Sequence, residues 1–163
     1  MFKYHLEGEK RGVTEVFFDA PGIPDNITPS PNGGFYVGIV AVETEGTFLP
    51  SPLRLLRDYP SLRIGFGNFI NNLINALEWI DSVFPSPLLA SSRNLVGDTE
   101  LGCQLAPPYA LVVELDVAGN VIDSLHGTNG VLKAVCEGFA HGNWLFLGSP
   151  YASMDFIARV PRQ

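Results

Sequence analysis

Hydrophobic and polar positions follow two different periods along this chain, and the change of period divides it. Near the start, β-favouring runs alternate with glycine and proline punctuation. Thr14-Glu15-Val16-Phe17-Phe18 is a short strand run, stopped by Ala20-Pro21-Gly22-Ile23-Pro24. Asn32-Gly33 then precedes an apolar run of strand length, from Phe35 to Val42. Two hairpins follow later. Ala110 to Asp116 and Val121 to Leu125 flank the turn Ala118-Gly119-Asn120, and Ala134 to Ala140 and Trp144 to Gly148 flank His141-Gly142-Asn143. Phe156 to Val160 is a last strand. Short strands separated by Gly, Pro and Asn predict an all-β sandwich, barrel or propeller.

The middle of the chain has the other period. Ser51-Pro52 pairs an N-cap residue with proline at the first helical position and opens a short helix to about Arg57. Phe66, Phe69, Ile70, Leu73, Ile74, Leu77, Ile80 and Phe84 recur at steps of three and four, which is one face of a helix. The opposite face carries Asn68, Asn71, Asn72, Asn75, Glu78 and Asp81. Residues 44 to 105 therefore read as a helical insertion in a β scaffold. Packing on its own sheet is the first expectation for it; covering a pocket, meeting a partner or lying on a membrane surface are the others. Its polar face holds almost no Lys or Arg, which weighs against the membrane.

Composition narrows the picture. With 163 residues, 46% hydrophobic and 17% charged, the chain is one domain or part of one, with ample material for a core. Its net charge is −7, and no basic cluster exceeds Lys10-Arg11. Nucleic-acid binding needs a basic stripe to displace counterions, so that class is excluded. Cys103 and Cys136 allow at most one internal disulfide and form no CxxC pattern. The first residues contain no signal-peptide core, and no apolar run approaches the ~20 residues that span a bilayer. As written, the chain is expected to be soluble or peripheral.

Lys3-Tyr4-His5-Leu6-Glu7-Gly8-Glu9-Lys10-Arg11-Gly12 resembles a stretch found in strictosidine synthase-like proteins. Glu15-Val16-Phe17 and Pro21-Gly22-Ile23-Pro24-Asp25-Asn26-Ile27 follow in the order of that family, as do Gly33-Gly34-Phe35-Tyr36-Val37-Gly38 and Tyr109 to Leu115. Ser124-Leu125-His126 and Leu145-Phe146-Leu147-Gly148-Ser149 complete the likeness, which extends to the animal branch, the adipocyte plasma membrane-associated proteins. The resemblance implies a six-bladed β-propeller related to paraoxonases and gluconolactonases. Six blades need about 250 residues at ~40–50 each. The expectation for residues 1–163 is thus the C-terminal part of such a propeller, about two blades, with the insertion inside it. It also implies a secretory-pathway or membrane-associated protein, with association through an N-terminal anchor outside this sequence.

Asp25-Asn26 is the leading candidate for chemistry. Carboxylate and amide oxygens are hard ligands suited to calcium, although Asp and Asn after proline are also ordinary turn residues. The resemblance implies that this pair helps hold calcium in the propeller tunnel, with Pro24 and Pro29 stiffening the local backbone. Asn26-Ile27-Thr28 is also an N-glycosylation sequon, disfavoured by Pro29 and incompatible with a buried ligand role. Glu137 is the candidate catalytic carboxylate, since the resembled synthases use a glutamate at this blade start. Aligned on Leu145 to Gly148, that glutamate falls on Cys136, one residue away. His141 corresponds to a family histidine in the following turn. His5 and His126 stand isolated in the sequence, without zinc spacing. No GxSxG elbow supports serine chemistry, and Ser149, His141 and Asp155 supply only the residue types. Cys136 lacks a neighbouring cation and reads as structural.

The function expected is a calcium-dependent, arylesterase-like hydrolase acting on a small ester or lactone. The alternatives are a synthase condensing an amine with an aldehyde, and a non-catalytic propeller serving as an interaction surface.

Overall fold

In a computed structural model, which describes residues 1–42, 56, 58–97, 108–149 and 156–162, the β-favouring runs pair into three antiparallel sheets. Strands β1 (Phe2–Tyr4) and β2 (Thr14–Val16) form a hairpin. Strands β3 (Gly22–Pro29), β4 (Phe35–Val42), β5 (Ala110–Leu115) and β6 (Val121–Gly127) form a meander in chain order. Strands β7 (Glu137–His141), β8 (Trp144–Gly148) and β9 (Ala158–Pro161) form the third sheet. The protein is mostly β-sheet, consistent with part of a propeller.

β4 and β5 explain why their sequences read as nearly unbroken apolar runs: both faces of the sheet are covered. Val37, Ile39, Leu111, Val113 and Leu115 alternate onto one face and form a core with Phe18. Tyr36, Ala110 and Val112 alternate onto the other and meet Val135, Leu145 and Leu147, joining the four-stranded sheet to the three-stranded one. Ile39, Leu115 and Leu147 are fully buried; each such side chain contributes about 1.5–3 kcal/mol from leaving water.

The chain leaves this sheet after Val42 and returns to it at Ala110, into a strand paired with the one it left. Met1–Val42 with Ala106–Gln163 form one compact unit, and Glu43–Leu105 a second. In the second, helix α1 (Pro60–Val83) begins at a proline in its first turn, ahead of the apolar stripe seen in the sequence, and is capped at Phe84, the last residue of that stripe. Helix α2 (Pro87–Gly97) follows at once. Ser86 N donates to Asp81 Oδ1 at 3.1 Å, and Arg93 Nη1 lies 4.0 Å from Asp81 Oδ2. No helix among the described residues is long and apolar enough to cross a membrane. The helix expected from Ser51 to Arg57 falls, Leu56 apart, outside the described residues, as do Cys103 and Asp155.

Two expectations change. Of the stop expected at Ala20 to Pro24, the residues Gly22, Ile23 and Pro24 instead open β3. Proline is tolerated because β3 ends its sheet and its N–H side is not fully needed for pairing. β7 starts at Glu137, three residues later than its apolar run. Ala134 sits at φ 51, in the left-handed region, and breaks the extended conformation there.

Candidate functional site

Asp25 and Asn26 occupy an irregularity in β3. Pro24 pairs with Ile39 and Ile27 with Val37, so these two residues together oppose Gly38. Such a bulge re-aims side chains out of the regular alternation, and both are exposed. The pair is thus presented by a strand bulge rather than by a turn.

The bulge is tied to the start of β7. Asn26 N–H donates to the Cys136 carbonyl at 3.0 Å, and the Thr28 hydroxyl donates to the Gly138 carbonyl. Gly38 makes the approach possible, because a Cβ there would lie 2.3 Å from the Cys136 carbonyl oxygen. The structure therefore brings Asp25, Asn26, Cys136 and Glu137, separated by over a hundred residues, to one place on adjacent strands.

On β7 the side chains alternate. Cys136, just before the strand, is buried, and its Sγ faces the Ala134 carbonyl at 3.5 Å. Glu137, Phe139 and His141 share the exposed face. All three line an open groove of 460 Å³ with Phe146, Leu147 and Ile157. Glu137 and His141 stand four residues apart, about 13 Å along a strand, so they share the groove without bonding to each other.

Asp25 and Asn26 offer oxygens of the kind calcium prefers, but two residues are short of its 6–8 ligands. Among the described residues no group of three or more His, Cys, Asp or Glu could hold a metal ion. The pair fits such an ion in kind, as part of a larger set.

Other polar groups went unnoticed in the sequence. Glu114 is buried at 6% exposure in the apolar strand β5, and its Oε1 accepts from the Ser30 hydroxyl and from Asn32 Nδ2 at 2.9 Å. A lone glutamate inside Ala110-Leu111-Val112-Val113-Glu114-Leu115 was the available signal. His5 and His126, isolated in sequence, both have partners. His5 Nε2 lies 2.9 Å from Glu15 Oε1, with Lys10 Nζ 3.0 Å from Glu15 Oε2. The His126 ring lies between the Tyr109 and Ser124 hydroxyls.

The chain is similar along most of its length to several curated proteins, three of which follow. Adipocyte plasma membrane-associated protein Hemomucin of Drosophila melanogaster is 33% identical over 159 residues, 97% of this chain and 27% of that protein. The bovine adipocyte plasma membrane-associated protein is 29% identical over 149 residues, 90% of this chain and 29% of its own length. The human one is 28% identical over 163 residues, 99% of this chain and 32% of its own length. The chain thus spans about a third or less of these relatives. No family model matches it, and no solved structure matches it.

Proposed function

We propose, from the premise that this chain belongs to the strictosidine synthase-like family with the adipocyte plasma membrane-associated proteins, that it forms two blades' worth of a six-bladed propeller and carries part of a calcium-dependent ester hydrolase site. The observation that carries this is the Asp25–Asn26 bulge, stitched to the backbone of the neighbouring sheet at Cys136. In this reading Asp25 and Asn26 supply oxygens to the ion, and other parts of the full-length protein supply the rest. A bound calcium ion contributes Lewis acidity toward an ester or lactone carbonyl. The backbone bond from Asn26 to Cys136 and the missing Cβ of Gly38 hold the bulge in place. The groove beside Glu137 and His141 offers apolar walls, Phe139 and Phe146, for a small organic substrate. The relatives' name supports association with a plasma membrane.

Glu137 sustains a second reading, amine–aldehyde condensation, because its carboxylate faces that groove while Cys136 is buried. The same experiment separates the two. In the full-length protein, Asp25→Ala should abolish the calcium dependence of both melting temperature and aryl-ester turnover, since a ligand bound only to the folded state stabilises by mass action. Asn26→Ala should act the same way more weakly, by removing a neutral donor. Glu137→Gln should leave ester turnover nearly intact. If both bulge substitutions cost about 1 kcal/mol equally with calcium and with chelator, the pair is structural and the metal reading fails. Loss of a condensation product, by mass, in Glu137→Gln would favour the synthase.

A further inference from the structure

Ser124 and His126 lie two apart on β6, so their side chains project from the same face of a strand that ends its sheet. The Ser124 hydroxyl is 2.9 Å from His126 Nε2. The other ring nitrogen, Nδ1, is hydrogen-bonded to the hydroxyl of Tyr109, which precedes β5. The two rings meet edge to face, centroids 5.9 Å apart at 73°. A hydroxyl on an imidazole that a third group orients is the arrangement that activates a nucleophile. Ser124 and His126 are both exposed, so an electrophile can reach them.

We propose that Ser124 is a nucleophile activated by His126, with Tyr109 as positioning residue, acting on activated esters that reach it from the exposed face of this edge strand. In the productive tautomer Nδ1–H donates to the Tyr109 oxygen and Nε2 accepts the serine proton. Ser124 Oγ bonds to the carbonyl carbon, its proton passes to Nε2, and the ester C–O bond breaks. The departing alkoxide takes the proton from Nε2. Water then attacks the acyl-serine by the same route, releasing the acid and restoring the hydroxyl. Ser124 N–H is committed to Asp123 Oδ1 at 2.7 Å and so does not face the developing oxyanion. The dyad consequently favours substrates with good leaving groups.

The site stands apart from Asp25 and Asn26, so its chemistry is independent of calcium. A fluorophosphonate probe reports the first half-reaction: a P–O bond forms on Ser124, the P–F bond breaks, fluoride leaves, and His126 takes the proton. The unaltered chain should gain one adduct, mapped to Ser124 by peptide mass, at a rate that a chelator does not change. Ser124→Ala should lose it, with circular dichroism showing the fold retained. His126→Gln should slow labelling about a hundredfold, the scale of general-base assistance. Tyr109→Phe keeps the ring contact and removes the hydroxyl; it should lower the maximal labelling rate several-fold while leaving the probe concentration for half-maximal rate unchanged, a split that lost packing alone would not give. An unlabelled Ser124 in the native chain, or equal labelling rates in native and His126→Gln protein, would overturn the proposal.

Discussion

Lys10 and His5 bracket one carboxylate on the first hairpin. Their hydrogen bonds, Lys10 first and His5 second, hold Glu15 down from 4.5 to about 2. A carboxylate whose folded value is depressed adds stability that is whole above 4.5 and lost as pH falls toward 2. Glu15→Gln should therefore lower the melting temperature at neutral pH, and the difference should close across that window. It should also shrink in salt, because the Glu15 side chain is 38% exposed and Lys10 63%. A difference unchanged from pH 7 to pH 2 would show that the hairpin does not depend on this charge. Single residues were unevenly legible in the sequence. Asp25 and Asn26 were visible as residue types, yet their presentation by a bulge depends on pairing with β4, which no local pattern encodes. The partners of His126 were hidden for a similar reason, since Tyr109 lies just before the adjacent strand, 17 residues away.

Strand elements were clearest where alternation and turns agree. The β5–β6 hairpin closes at Asp116, whose carboxylate accepts from the Asn120 side chain and from the Asn120 and Ala118 backbones at 2.8 Å. Those bonds hold it below the ordinary aspartate range. Gly119 at φ 93 supplies the left-handed residue that this turn needs. β3 was harder, because its prolines carry a turn signal that an edge position overrides. At this scale the decisive contact is between β4 and the segment entering β7. Gly38→Ala would set a methyl 2.3 Å from a carbonyl oxygen and 2.4 Å from its carbon, both on backbone that cannot swing aside. The cost expected is about 1–3 kcal/mol or more, read as a lower denaturant midpoint. Gly148→Ala, whose Cβ meets nothing within 4 Å, is the control and should change little. Equal midpoints for the two variants would mean that the sheets separate without penalty.

Across the whole molecule, the described sheets leave apolar groups in water. Phe2, Tyr4, Leu6 and Val16 are exposed around the first hairpin, and Val121 and Ile122 on β6. A strand with unpaired N–H and C=O groups and exposed apolar neighbours is a template for another chain. The 163-residue chain in isolation should self-associate, giving larger species with rising concentration in sedimentation velocity. A single monomeric boundary at all concentrations, with a sharp two-state melt, would contradict this.

The departure of the chain at Val42 and its return at Ala110 have another consequence. The register of β4 on β5, from Phe35 opposite Leu115 to Ile39 opposite Leu111, is set by side chains within the sheet. The intervening stretch has only to bring its two ends back together, and doubling the length of such a closure costs only ~0.6 kcal/mol. Lengthening or trimming that stretch therefore costs the β framework little in closure entropy. This junction is a place where related chains are free to diverge in length, and where a reporter or a foreign domain can be spliced in while the strand pairing beneath it is kept.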